Sequence, residues 1–179
     1  VVGVDLSGTP SWSSVTVRGK TVSSKASENT QESSRSATVT VTQRESGKKL
    51  TLDIIQNAAS VSYNYYFYWK GTSASGSIYH AASGDTFSKP FISYKNKVIN
   101  GSETSDTYDV GVDLSGTPSW SSVTVRGKTV SSKASENTQE SSRSATVTVT
   151  QRESGKKLTL DIIQDAATIT YVYVFKLVE

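Results

Sequence analysis

Residues 27–56 read SENTQESSRSATVTVTQRESGKKLTLDIIQ, and the same letters return at residues 135–164. Within this stretch, Ala37-Thr38-Val39-Thr40-Val41-Thr42 places apolar residues on odd positions and threonine on even ones. In Leu50-Thr51-Leu52-Asp53-Ile54 the apolar set falls on even positions. A period of two puts one set of side chains on one face of a strand. The joining segment, Gln43 to Lys49, carries a glycine, so the two runs predict an antiparallel hairpin.

Outward from the hairpin, the copied block grows to 55 residues: Val2–Gln56 recurs unchanged as Val110–Gln164, an offset of 108. A repeat of this length is one structural unit or a large part of one. Val15 to Val22 predicts a further strand or a hairpin turning at Gly19. Thr9-Pro10-Ser11-Trp12 is a turn carrying a large anchor, and Ser23 to Ser36 is polar connection with one short strand. Trp12 and Trp120 are expected as core plugs or edge anchors. Past the block the same offset continues into similar sequence. Val61, Tyr63, Tyr65, Phe67 and Trp69 map onto Ile169, Tyr171, Tyr173, Phe175 and Leu177, all apolar or aromatic. Ser62, Asn64, Tyr66 and Tyr68 map onto Thr170, Val172, Val174 and Lys176, where character changes freely. The odd positions are therefore the expected core face of a strand and the even ones the outer face.

Between the copies, Ser77–His80 and Phe87–Tyr94 predict two short strands, and Asn100-Gly101 a turn. Thr107 to Val112 leads back into the repeat. Short strands, frequent turn signals and no helical period predict an all-β sandwich. The frame places a complete unit at 60–167. Residues 1–59 are then the C-terminal half of an earlier unit, and 168–179 the first strand of a further one.

Composition narrows the function. The chain has 179 residues, a net charge of +3, no cysteine and no methionine. Missing methionine suggests a mature product or a section of a larger protein. No disulfide contributes, and no apolar run is long enough for a transmembrane helix, so membrane insertion is not expected. Lys and Arg are scattered without a basic stripe, which argues against nucleic acid.

The candidate chemistry is sparse. His80 is the only histidine, with Asp85 nearby, but no nucleophile elbow or oxyanion signature accompanies it, so no catalytic residue is assigned. Glu28, Glu32 and Glu45 lie in polar stretches that would not raise a carboxyl pKa, and read as surface charges. Asp106 and Asp109 with Asp113 offer oxygen ligands, but no calcium-loop spacing or His/Cys cluster is present, so no metal or cofactor is assigned. Asn100-Gly101-Ser102 fits a glycosylation triplet and more simply a turn. Tyr66 and Tyr68 on the outer face, with Trp69 at the strand end, are the candidate ligand-contact residues. They suit either a glycan stacked on the rings or a contact with a neighbouring domain or subunit; Val172 and Val174 at matching positions favour the latter.

One arrangement is family-like. Phe91-Ile92-Ser93-Tyr94-Lys95 and Pro118-Ser119-Trp120 are followed by Glu136-Asn137-Thr138 and Arg143-Ser144-Ala145-Thr146-Val147-Thr148-Val149-Thr150-Gln151. Then come Ser154-Gly155-Lys156-Lys157 and a strand ending at Gln164. This resembles the BACON domains of gut Bacteroidetes and of their phages. The resemblance implies tandem immunoglobulin-like antiparallel β-sandwiches, a place in an extracellular protein of the bacterial cell surface or the phage virion, no catalytic residues, and carbohydrate or mucin as ligand.

The expectation is a non-enzymatic structural and adhesion repeat that spaces and assembles subunits, with weak glycan or mucin binding; the alternative is a carbohydrate-binding module attached to a glycan-degrading enzyme. Expected partners are further copies or neighbouring domains of the same array. A half-sandwich at 1–59 has an open edge and an uncovered core face. Residues 168–179 carry the pattern of a first strand, and would serve as a donor strand for another copy's 1–59 half.

Overall fold

A computed structural model describes residues 3–71 and 75–175. Its elements are β1 (Val4–Ser7), β2 (Ser13–Arg18), β3 (Thr21–Ala26), β4 (Arg35–Gln43), β5 (Lys49–Gln56), β6 (Val61–Trp69) and β7 (Ser75–His80). They continue with β8 (Thr86–Ile99), β9 (Ser102–Asp109), β10 (Val112–Ser115), β11 (Ser121–Arg126), β12 (Thr129–Ala134), β13 (Arg143–Gln151) and β14 (Lys157–Gln164). Among the described residues every regular element is a strand, as the period-two sequence requires.

The chain forms two compact units. Unit 1 comprises residues 1–63 and 97–105; unit 2 comprises 64–96 and 106–179. Unit 2 contains two facing sheets, ordered β10-β13-β14-β7 and β11-β12-β8-β6, with β9 on β8. Trp69, Ile78 and Phe91 come from the middle segment, and Val130, Leu158, Leu160 and Ile162 from the repeated block; together they make a buried core. Phe91 meets Trp69 and Phe67 edge-on, at centroid distances of 6.3 and 6.0 Å.

Unit 1 holds the other copy of the block with almost the same pairings. The β4–β5 register, from Arg35↔Gln56 to Thr42↔Lys49, is the β13–β14 register moved by the repeat offset. β1 pairs β4 as β10 pairs β13, and β2 pairs β3 as β11 pairs β12. The sheets of unit 1 are β1-β4-β5 and β2-β3. Among the described residues, no strand pairs with β5 as β7 does with β14, or with β3 as β8 does with β12. Among the described apolar residues of unit 1, Val39 and Val98 alone are buried. Leu50 is 76% exposed whereas its counterpart Leu158 is 3% exposed.

Several expectations are corrected. The sandwich of unit 2 is not wholly antiparallel, because β7 joins β14 in parallel, from Ser75↔Thr159 to His80↔Gln164. β8 runs on to Ile99 as one strand of 14 residues. Its second half, Lys95-Asn96-Lys97, is polar on both faces and carries no period-two signal. β9 is equally polar and owes its strand form to pairing with β8. The two are joined by Asn100 and Gly101, both with positive φ (50° and 84°), as a two-residue hairpin turn demands. β1 and β10, to which the sequence reading assigns no element, are short strands. Residues 168–175 form no strand, since the ladder partner of their counterpart β6 is β8 and no such strand pairs with this tail. The remainder of the expected strand, 176–179, lies outside the described residues.

Candidate functional site

The outer face of β6 and β8 carries the aromatic side chains expected to contact a ligand. Lys70 N donates to Pro90 O at 3.0 Å, fixing the antiparallel alignment that sets Tyr66 beside Tyr94. The two rings stack with centroids 4.7 Å apart and 16° between planes. Both are half-buried, so each ring is held in place by the other. Tyr68 lies two residues along, about 7 Å on the same face, and is 45% exposed. Preordered rings on a strand lose little conformational entropy on contact with a flat apolar ligand surface. Tyr94 was not singled out from sequence; its adjacency to Tyr66 is a cross-strand relation that no local pattern reports.

Trp69 is placed differently from expectation. It is fully buried in the core of unit 2, and its indole N–H donates to Thr159 O at 3.1 Å. It therefore offers no ring to a ligand and belongs to the odd, inward set of its strand. Trp12 and Trp120 are half-buried anchors as expected, each under an arginine: Arg35 over Trp12 and Arg143 over Trp120, both at 4.8 Å.

A second feature of unit 2 is a cleft of about 360 Å³ lined by Phe91, Val110, Val112 and Val125, with Asp109, Lys128 and Arg152 around it. Its charges are already paired: Lys128 Nζ with Asp109 at 2.5 Å and Arg152 with Asp113 at 2.9 Å. The Asp109 and Asp113 carboxylates, weighed from sequence as oxygen donors to a metal and not assigned as such, are each paired with a cation. No group of three or more His, Cys, Asp or Glu side chains is gathered among the described residues. Glu28 and Glu32 take bonds from Asn100 Nδ2 and Lys97 Nζ within unit 1, at 2.7 and 2.6 Å.

The structure does bring His80 into a chain of polar groups. Nδ1 meets the Asp85 carboxylate, Nε2 meets Ser132 Oγ at 2.8 Å, and Ser132 Oγ meets Ser121 Oγ at 2.7 Å. The order Asp–His–Ser is that of a hydrolytic triad. Ser132 is wholly buried, however, and His80 is 1% exposed, so no substrate carbonyl reaches the hydroxyl. The chain satisfies buried polar atoms where β7 meets β12. Elsewhere in unit 2, Lys95 holds Glu153 at 2.5 Å, and that hydrogen bond keeps the Glu153 carboxyl below its ordinary pKa.

Residues 4–57 and 100–165 match the model of the BACON family, described as "Putative binding domain, N-terminal". Among solved structures, a protein from Bacteroides vulgatus ATCC 8482 determined by NMR is similar, at 29% identity and a TM-score of 0.44, over 60% of this chain and 93% of that one. The endo-fucoidan hydrolase MfFcnA4 of glycoside hydrolase family 107 is similar at 13% identity and a TM-score of 0.37, over 93% of this chain and 24% of its own. MfFcnA9 of the same family shows 15% identity and a TM-score of 0.35, over 92% and 28%. The chain thus spans about a quarter of those hydrolases. No curated protein matches.

Proposed function

The chain belongs to the BACON family, and from that premise we propose that it is a non-enzymatic adhesion and spacing repeat of an extracellular protein, at a bacterial surface or on a phage virion, which holds host glycan or mucin on Tyr66, Tyr68 and Tyr94. The observation that carries this reading is the stacked Tyr66–Tyr94 pair with Tyr68 exposed beside it on one sheet face. Pyranose rings have apolar faces that stack on aromatic rings, and the tyrosine hydroxyls supply edge hydrogen bonds. A flat platform of this kind holds one sugar weakly; repeated along an array it gains avidity from effective concentration.

The test is a mucin-bead pull-down and glycan array with the full chain, Tyr68→Ala, and the double variant Tyr66→Ala/Tyr68→Ala. Each stacked ring is worth on the order of 1 kcal/mol, so retention should fall about fivefold for the single variant and tenfold or more for the double. Absence of any binding by the unaltered chain, or equal binding by all three, overturns the reading.

A further inference from the structure

The outer face of the sheet β11-β12-β8-β6 carries a second feature besides its tyrosines. Along β11 and β12, Val123, Val125 and Val130 turn inward to the core. Ser122, Thr124 and Arg126 therefore turn outward and, opposite them, so do Thr129, Ser131 and Lys133. All but Thr129, together with Thr86 of β8, line a shallow trough of about 320 Å³. Its charge is of one sign. None of the four strands contains Asp or Glu. Neither Arg126 nor Lys133 makes an ion pair among the described residues. On the other sheet Arg152 is held by Asp113 at 2.9 Å. A cation with no carboxylate beside it keeps its attraction for an external anion.

The register sets the geometry of the trough. Arg126 stands opposite Thr129 and Lys133 opposite Ser122, with the Thr124–Ser131 pair midway between them. Strand rise and spacing put the Arg126 and Lys133 backbones about 14 Å apart, so extended side chains reach the midpoint from either end. The floor there is hydroxylic, and Ser131 Oγ shares one hydrogen bond with Ser88 Oγ at 2.8 Å. When Ser88 donates, the Ser131 proton points into the trough. A planar carboxylate, with two oxygens, is matched best by one arginine fork. A sulfate ester presents three diverging terminal oxygens, which suits donors arriving from both ends and from the floor.

We propose that the glycan held on this face is sulfated, with its sulfate ester over the Thr124–Ser131 pair between Arg126 and Lys133. This rests on the reading that Tyr66, Tyr68 and Tyr94 hold a glycan. Pairing of Ser131 with Ser88 and of Thr129 with Pro90, and the bond from Lys70 to Pro90, carry the register across to β6. Counted in strand spacings and rises, Tyr68 lies about 18 Å from the centre of the trough. The ligand is accordingly an oligosaccharide, whose sulfated sugar is several units from the stacked one. The same outward set recurs on β2 and β3, where Arg18, Thr16, Ser23 and Lys25 repeat the pairing.

The experiment is retention of the full chain on beads carrying a sulfated lactosamine hexasaccharide, its unsulfated parent, or its sialylated form. One variant combines Arg126→Ala and Lys133→Ala with the repeat counterparts Arg18→Ala and Lys25→Ala. A control with the same change in charge combines Arg44→Ala, Lys49→Ala, Arg152→Ala and Lys157→Ala. All eight side chains are exposed, and circular dichroism checks that both variants are folded. The unaltered chain should hold the sulfated glycan about tenfold more tightly than the parent, as two exposed charge-assisted contacts predict. The first variant should lose that preference and still hold the parent; the control should keep both. Raising salt from about 0.05 to 0.5 M should shrink the preference. Tyr68→Ala should weaken all three glycans alike. Equal retention of sulfated and unsulfated glycan, stronger retention of the sialylated form, or a preference that survives in the first variant overturns the proposal. If sulfation adds nothing while Tyr68→Ala still weakens binding, the tyrosine platform stands and the sulfate subsite falls. If no glycan is retained, both fall.

Discussion

Leu50 and Leu158 have identical sequence neighbours from Val2 to Gln56 and from Val110 to Gln164, yet one is 76% exposed and the other 3%. Replacing each by alanine isolates the energetic value of burial with propensity, register and hairpin held constant. At Leu158 the loss is the transfer term plus a cavity, about 3 kcal/mol for a leucine in a packed core. At Leu50 only about a quarter of the side chain is removed from water, so the loss is about 0.5 kcal/mol. The assay is hydrogen exchange by mass spectrometry on the full chain. Peptides running past Gln56 or Gln164 tell the copies apart, because Asn57 and Ser60 stand against Asp165 and Thr168. Where exchange reports the opening of a whole unit, 3 kcal/mol accelerates it about a hundredfold and 0.5 kcal/mol about twofold. Leu158→Ala should therefore release the amides of β14, and Leu50→Ala should barely change those of β5. Equal acceleration in the two copies would refute the reasoning, because it would mean that Leu50 is covered in solution as fully as Leu158.

Two further outcomes concern unit 2. Trp69→Phe keeps a ring in the core but removes the indole N–H that the Thr159 carbonyl accepts, and should lower the stability of unit 2 by about 1 kcal/mol in urea unfolding; no change would show that water replaces the indole. Glu153 has a carboxyl pKa held below its ordinary value of 4.5, chiefly by the hydrogen bond from Lys95. A depressed carboxyl stabilises the fold above the unfolded-state value and loses that contribution as pH falls through the folded value. The unfolding midpoint of Glu153→Gln should lie slightly below that of the unaltered chain at neutral pH, with the gap closing below pH 4.5 and shrinking with salt; a gap that persists in acid would contradict the assignment.

Much of the fold was legible in period-two alternation. The β4–β5 hairpin, the Gly19 turn and the Asn100-Gly101 turn each have a local cause. The stretches that were misread are polar ones: β9 and the second half of β8 become strands through their ladder, with little contribution from hydrophobic pattern. The candidate surface was half legible. Alternation alone directs Tyr66 and Tyr68 outward and Trp69 inward, so placing Trp69 at a ligand surface contradicted the pattern it came from. Tyr94 and the His80–Ser132 bond lay beyond reach, because 28 and 52 residues of chain separate the partners.

The doubled block separates the two levels of control within one molecule. Both copies form the same strands, the same turns and the same antiparallel registers, and even the arginine over the tryptophan recurs at 4.8 Å. Those features depend on contacts inside the block, so the sequence by itself determined them. Burial of the apolar face depends on what lies opposite. Trp69, Ile78 and Phe91 cover it in unit 2, while in unit 1 Leu50 remains in water. Only the tertiary structure decided that, because a β-sheet has two faces and the hydrophobic effect acts only where a second layer excludes solvent.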